Sequence, residues 1–265
     1  MRPYPMSVIM DGSVMLRLLL LCIVMLGCNK KHIKPDNFDD DPSTLNKSLL
    51  ACIDKMTNIS GVLDTTIWRN GERLRIEQLF LRSQSGNLRI DSLSPSGQPV
   101  NTVVFDGGRL LILDQSNHQF LMGPATREVV QKYLYVNLSP DVLSSLLGGC
   151  TPVFTGKSSP LSWDEETGRT TFSVNSGESK VHLWFEGQSD IRRIDFTENQ
   201  DRAYRLLLGD YQTFNAQRRP ARLKFIDSSQ QVEIEFKIKE IQSVPTIEHS
   251  SFLLEPPPGT EVRPL

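Results

Sequence analysis

The chain has little of what proteins with a compact chemical site usually display. Its four histidines, His32, His118, His182 and His249, are scattered, with none of the spacing or cysteine pairing that holds zinc. No glycine-rich phosphate loop occurs. Gly156-Lys-Ser-Ser-Pro160 lacks the closing glycine of a nucleophile elbow. Acidic neighbours such as Glu165-Glu166 and Asp40-Asp41 fall in expected loops and read as solvated surface. The net charge is −2, so the basic excess of a nucleic-acid binder is missing. The longest apolar run, Leu18–Leu26, falls short of the roughly 20 residues of a spanning helix. Cysteine is sparse, with four in 265 residues, too few for a disulfide scaffold. These absences argue against an enzyme, and no metal or cofactor is expected.

What is present begins with the leader. Arg17 precedes Leu18–Leu26, and Gly27-Cys28 follows. A basic residue, a short apolar core and a small residue before cysteine resemble the lipobox of bacterial lipoproteins. The resemblance implies removal of residues 1–27 and acylation of Cys28. Met15 would open a more compact leader. Asn29 is not the Asp that retains enterobacterial lipoproteins in the inner membrane, so the resemblance implies the outer membrane, facing the periplasm. Residues 28–44 then read as a lipid-anchored flexible tether, polar and carrying Asp39-Asp40-Asp41-Pro42, and residues 45–265 as one domain. Of the cysteines left, Cys52 and Cys150 are either a disulfide, which an oxidising periplasm permits, or two unpaired buried thiols.

Leu45, Leu49, Cys52, Ile53 and Met56 share one helical face. Strand signals then recur every eight to twelve positions, each ended by turn residues such as Asn70-Gly71 or Asp106-Gly-Gly108. Val232–Lys239 alternates strictly: Val232, Ile234, Phe236 and Ile238 on one face, Glu and Lys on the other. That pattern suits an antiparallel sheet with one wet face. The rhythm breaks at 120–149. Val129, Val130, Tyr133 and Leu134 form one short apolar stripe, and Val142, Leu143, Leu146 and Leu147 a second. Ser139 is placed to cap the second helix, Pro140 to start it and Gly148 to end it. Both helices are shorter than the roughly 12–15 residues an isolated helix needs, so they must lie on a larger apolar surface. The expected fold is therefore mainly β with a helical plug: a single open antiparallel half-barrel of about eleven strands covering three short α-helices.

Several stretches resemble the LolB-like outer-membrane lipoprotein receptors of the LolA/LolB superfamily. They are Leu88–Gln98, Asp106–Asp114, the helices ending Leu147-Gly-Gly149, Ile191–Phe196, Gly209-Asp-Tyr211 and Arg219–Phe225. The resemblance covers most of residues 45–242. It implies an apolar cavity that takes acyl chains of lipoproteins from a LolA-like periplasmic carrier. Val129, Val130, Leu134, Val142, Leu143, Leu146 and Leu147 would line it from the plug, and Ile234 and Phe236 from the sheet. The competing reading is that the helices complete a dry core. The family also carries a protruding apolar residue in a turn that hands cargo to the membrane. The corresponding turn here is Pro95-Ser96-Gly97, and Ser96 offers no apolar surface. A second reading of the chain is a structural or sensory envelope module that binds a protein partner. The arginines at 192, 193, 202, 205, 218, 219 and 222 could serve it, or could simply be an outer face. A monomer is expected.

Overall fold

Strand pairing organises the molecule. The structure is a computed structural model that describes residues 31–152, 154–187, 190–198, 201–215, 217–227, 229 and 231–265. The leader, Cys28, Asn29 and Lys30 lie outside the described residues, as does the Arg202 side chain.

Helix α1 (Pro42–Asp54) comes first, followed by β1 (Ile59–Arg69), β2 (Glu72–Arg82), β3 (Leu88–Leu93), β4 (Pro99–Asp106), β5 (Arg109–Asp114) and β6 (Gln119–Pro124). Helices α2 (Arg127–Leu134) and α3 (Pro140–Leu147) interrupt the sheet. It resumes with β7 (Lys157–Ser158), β8 (Ser162–Asp164), β9 (Arg169–Ser176), β10 (Ser179–Glu186) and β11 (Asp190–Glu198). The long strands β12 (Asp201–Phe214), β13 (Gln217–Asp227) and β14 (Val232–Ser243) follow, then a 3-10 turn, His249–Phe252, and β15 (Glu261–Pro264). The strands form one sheet of fifteen in the order β15-β6-β5-β4-β3-β2-β1-β14-β13-β12-β11-β10-β9-β7, with β8 beside β9. The sheet does not close on itself. It is the open half-barrel expected, with three short α-helices among the described residues.

Three strands escape the sequence pattern. β7 and β8 are too short to show a period, and β15 carries Pro264 and four exposed residues. β15 also pairs with β6 in parallel, so the sheet is not purely antiparallel. The single wet face holds for much of the sheet but fails on β4 and β5. There Val104, Leu111 and Leu113 face outward and are covered with Phe120 by Phe252 of the 3-10 turn. Consecutive apolar residues on these strands therefore mark burial on both faces.

The main core lies on the concave face. Leu63, Phe80, Leu88, Phe105, Leu110, Leu183, Ile194, Leu206, Phe225 and Ile234 from the sheet pack on Leu45 and Leu49 of α1 and on the plug helices. Hairpin register defines two ends. The turns at 70–71, 94–98 and 115–118 share one end, and those at 83–87 and 107–108 share the other. Helix α1 lies across the second end. Its N-terminus meets Leu161 through Asp40 O, and its C-terminus leads into Ile59, opposite Arg82. We call these the turn end and the α1 end.

The stretch expected to be a flexible tether is not one throughout. α1 starts at Pro42 rather than Leu45, because the Asp41 carboxylate accepts from Ser43 N at 2.9 Å and caps it. Residues 31–41 are docked on the sheet by backbone and side-chain hydrogen bonds.

The packed concave face and its rim groove

Helix α2 starts where Thr126 accepts from Val129 N, and it ends at Tyr135 in the left-handed region, φ 58°. The Arg69 guanidinium lies 4.1 Å from the centre of the Tyr135 ring. Helix α3 starts at Ser139 and Pro140, but the Ser139 hydroxyl makes no capping bond. Its extended backbone and the proline suffice to start the helix. Nor does Gly148 supply the terminating geometry, since it is still right-handed at φ −66°. The turn out of the helix is made by Gly149 at φ 83°.

The structure brings the nine expected cavity residues together on the concave face, but as packed core rather than as cavity lining. Val130, Leu143, Leu146, Leu147, Ile234 and Phe236 are buried, and Val129, Leu134 and Val142 pack on the same cluster. Of the nine, Leu146 borders a small cavity of ≈ 110 Å³. The two helical stripes lie against the sheet, with Val130, Leu143, Leu146 and Leu147 at 0–3% exposure.

Open space lies instead at the rim of the α1 end. A groove of ≈ 520 Å³ runs between α1, the docked residues 35–41 and strands β8–β10. Leu45, Phe38, Leu161, Trp163 and Phe185 give it apolar walls, and Asp39, Asp41 and Ser48 give polar edges. Its volume falls in the ~300–1,000 Å³ range of small-molecule sites. Ser48 also borders the smaller cavity, which continues along α1 to Cys52, Gly149 and Cys150. Phe38 and Trp163 stand in loop-like sequence with no period, so sequence reasoning missed them. Only their aromatic character within polar surroundings could have signalled a site.

The α1 end also holds two buried arginines without a carboxylate, Arg82 at 2% exposure and Arg219 at 4%. Arg82 donates through Nε to Ser144 O at 3.0 Å and to Ser144 Oγ at 3.1 Å, inside α3. Burial, reinforced by the charge of Arg219, pushes Arg82 down to about 10. Burial likewise lowers Arg219, whose Nε and Nη1 have no hydrogen-bond partner among the described residues. Both guanidinium groups press on the end of α3. A Cβ on Gly148 would lie 3.0 Å from Arg82 Nε, and one on Gly149 would lie 2.8 Å from Arg219 Cβ. The glycine pair thus leaves room for the two arginines, and cations at a helix C-terminus oppose its partial negative charge. Beside them a disulfide joins Cys52 of α1 to Cys150.

The remaining basic residues form an outer lattice. Arg193 and Arg205 both bond Asp195. Burial alone would raise that carboxyl, but these hydrogen bonds outweigh it and hold it at about 2. Arg192 pairs with Glu186, Arg218 with Asp190, and Arg222 lies near Asp210 and Glu235. Ser173, His182 and Asp195 stand opposite one another across β9, β10 and β11. Ser173 Oγ meets His182 Nδ1 at 3.1 Å. His182 Nε2 is buried without a partner among the described residues. Among the described residues no cluster of three or more His, Cys, Asp or Glu could hold a metal. The turn 95–97 is an exposed β3–β4 hairpin at the turn end, closed by Gly97 N to Ser94 O. No helix among the described residues is long and apolar enough to cross a membrane.

No protein-family model and no curated protein matches the chain. Solved structures do. A LolA superfamily protein from Nitrosomonas europaea is 12% identical with a TM-score of 0.55, over 79% of this chain and 97% of that one. A DUF1329 family protein from Desulfovibrio piger is 10% identical with a TM-score of 0.59, over 80% and 100%. A putative outer membrane lipoprotein-sorting protein domain from Vibrio parahaemolyticus is 10% identical with a TM-score of 0.57, over 79% and 94%. None of these three singles out the LolB-like receptors. What they share with this chain is an architecture, and that architecture is the LolA-like fold.

Proposed function

We propose that this chain is a lipoprotein, acylated at Cys28 and held on the periplasmic face of the outer membrane, whose half-barrel binds the acyl chains of other lipoproteins without catalysis. A LolA-like carrier would supply the cargo. The observation that carries the reading is an apolar-walled groove of ≈ 520 Å³ open at the rim of a LolA-like half-barrel. Two of the structures sharing that fold are described as a LolA superfamily protein and a putative lipoprotein-sorting domain. An acyl chain gains about 0.8 kcal/mol per buried CH₂, so apolar walls alone supply affinity. The groove leads directly to Leu45 and Phe185, which belong to the core, so a long chain extends inward by parting side chains that already pack there.

The test compares capture of an acylated lipoprotein and its non-acylated twin by residues 29–265. Acyl-dependent capture, reduced at least tenfold by Leu161→Glu in a domain that still folds, is the expected result. Leu161 is preferable to Leu143 for this purpose, because Leu143 is buried and a carboxylate there would unfold the protein. Equal capture of the two forms, or none, would sink the acyl-binding reading.

A further inference from the structure

Residues 31–41 do not hang away from the half-barrel. His32 donates its N–H to Glu165 O at 2.8 Å, and its own carbonyl accepts from Trp163 Nε1 at 3.0 Å. Lys31 Nζ pairs with Glu165 at 3.2 Å, and Phe38 meets the Trp163 ring edge to face at 6.1 Å. Asp40 O accepts from Leu161 N at 2.9 Å. A Cβ on Gly168 would lie 2.6 Å from His32 Nδ1, so the His32 ring is seated on bare backbone. These residues form a strap fixed on β8 at the α1 end.

Cys28 precedes His32 by four residues, and four residues of fully extended chain span at most about 14 Å. The turn at Ser96 is much farther from the strap. Leu88 pairs with Arg82 at the α1 end, and β3 runs from there to the turn end. Eight residues of strand and turn place Ser96 about 20–25 Å along that axis. In sheet order β3 and β9 are also separated by β2, β1, β14, β13, β12, β11 and β10.

We propose that an acyl anchor on Cys28 holds the α1 end of the half-barrel against a phospholipid bilayer, with the strap and the β8 hairpin in the interface and the Ser96 turn directed away from it. The proposal rests on the acylation reading above. A body on a long flexible tether would have no fixed orientation, whereas a docked strap leaves too little chain for the molecule to turn over. The strap surface suits an interface. Ile33 is 91% exposed beside Lys31 and Lys34, and Trp163 is the kind of amphipathic ring that settles at headgroup level. Asp36, Asp39, Asp40 and Glu166 lie nearby in the sequence, so charge does not draw this face to an anionic membrane. The anchor's effective concentration does so instead, and the contact is accordingly insensitive to salt. The rim groove is lined by Pro35, Phe38 and Trp163 of this same face. A cargo chain would then pass between groove and bilayer without crossing open water.

The experiment uses residues 28–265 with Cys52 and Cys150 bridged, so that Cys28 is the sole free thiol, coupled by maleimide to phosphatidylethanolamine in phosphatidylethanolamine–phosphatidylglycerol vesicles. Hydrogen exchange is compared between the coupled and uncoupled protein. The expected result is slower exchange over 31–41 and 161–168, at least threefold and unchanged in 0.5 M salt, with 94–98 unaffected. Slower exchange at 94–98, or at neither segment, overturns the proposal. A second measurement uses brominated lipid to quench Trp163 in a W68F/W184F background, against S96W in a background that also carries W163F. Quenching of Trp163 alone is expected, and quenching of the S96W indole alone overturns the proposal. Because the lipid is supplied chemically, neither readout depends on processing in the cell. Whether cells acylate Cys28 is read separately, from the mass of the protein extracted from membranes.

Discussion

The two ends of the half-barrel are built on different principles. At the α1 end a helix lies across the opening, a disulfide ties it to the segment after α3, and two buried arginines pack against Gly148 and Gly149. At the turn end the ties between elements among the described residues include the Arg69 guanidinium on the Tyr135 ring and Glu261 N donating to His118 O. Turn glycines have open space where a Cβ would stand at both ends, Gly71 and Gly97 at one and Gly86, Gly107 and Gly108 at the other. Leu74 stands 55% exposed and Tyr135 projects from the end of α2. The α2–α3 connection is buried too, through Val136 and Leu138, so the two ends differ in their cross-links rather than in burial. The end proposed to face the bilayer is also the end that carries the disulfide.

That contrast is most easily broken through the disulfide. The bond closes a segment with a sequence separation of 98, for which loop entropy gives about 3–5 kcal/mol. C52S/C150S is expected to lose that amount in urea unfolding, with amide exchange rising first in α1 and after α3. A loss below about 1 kcal/mol would mean that packing and the arginines already hold this end.

Two glycines in similar conformations sharpen the comparison. Gly149 at φ 83° and Gly71 at φ 82° would both suffer backbone strain as alanine. Only Gly149→Ala also drives a Cβ into Arg219. We expect about 1 kcal/mol lost for Gly71→Ala and about 2–3 kcal/mol for Gly149→Ala. Arg219→Met, which removes a buried cation with two unpaired donors, should recover part of the second loss. Equal losses at 71 and 149 would erase the distinction between the ends.

The smallest expected effect belongs to the outer face. Burial, aided by Lys180 and Arg193, lowers the His182 pKa against the opposing pull of Asp195 and Asp164. The folded protein therefore prefers the neutral ring, while the unfolded chain protonates near the ordinary value of about 6.5. Stability is full above that value and declines as pH falls through it towards the lower folded value. Asp195, held at about 2, contributes its own loss only at more acid pH. The urea midpoint should drop slightly between pH 7.5 and 5.5, and His182→Gln should flatten that drop. An unchanged slope in the variant would place the titration elsewhere.

Much of this architecture could be read from residue patterns. Alternation in Val232–Lys239 and turn pairs such as Asn70-Gly71 locate strands, because a half-buried strand must repeat every two residues. The plug helices announce themselves through their stripes and Pro140. Strands of two to four residues carry no period to read. Leu143, Leu146, Ile234 and Phe236 could be recognised as facing the concave side, but a lining residue and a core residue have the same pattern. The basic run of the C-terminal half concealed two unlike cases: Arg193 and Arg205 on a carboxylate, and Arg219 buried with none.

By itself, then, the sequence determined where the helices and the longer strands form and which face points to the concave core, since both follow from local periodicity and capping. Tertiary structure alone decided that the concave face is packed shut and that the open space lies at the rim. It also decided that Cys52 meets Cys150, and that the strap docks within a few residues of Cys28. These outcomes depend on volumes and distances between segments far apart in the chain, and periodicity carries no information about either.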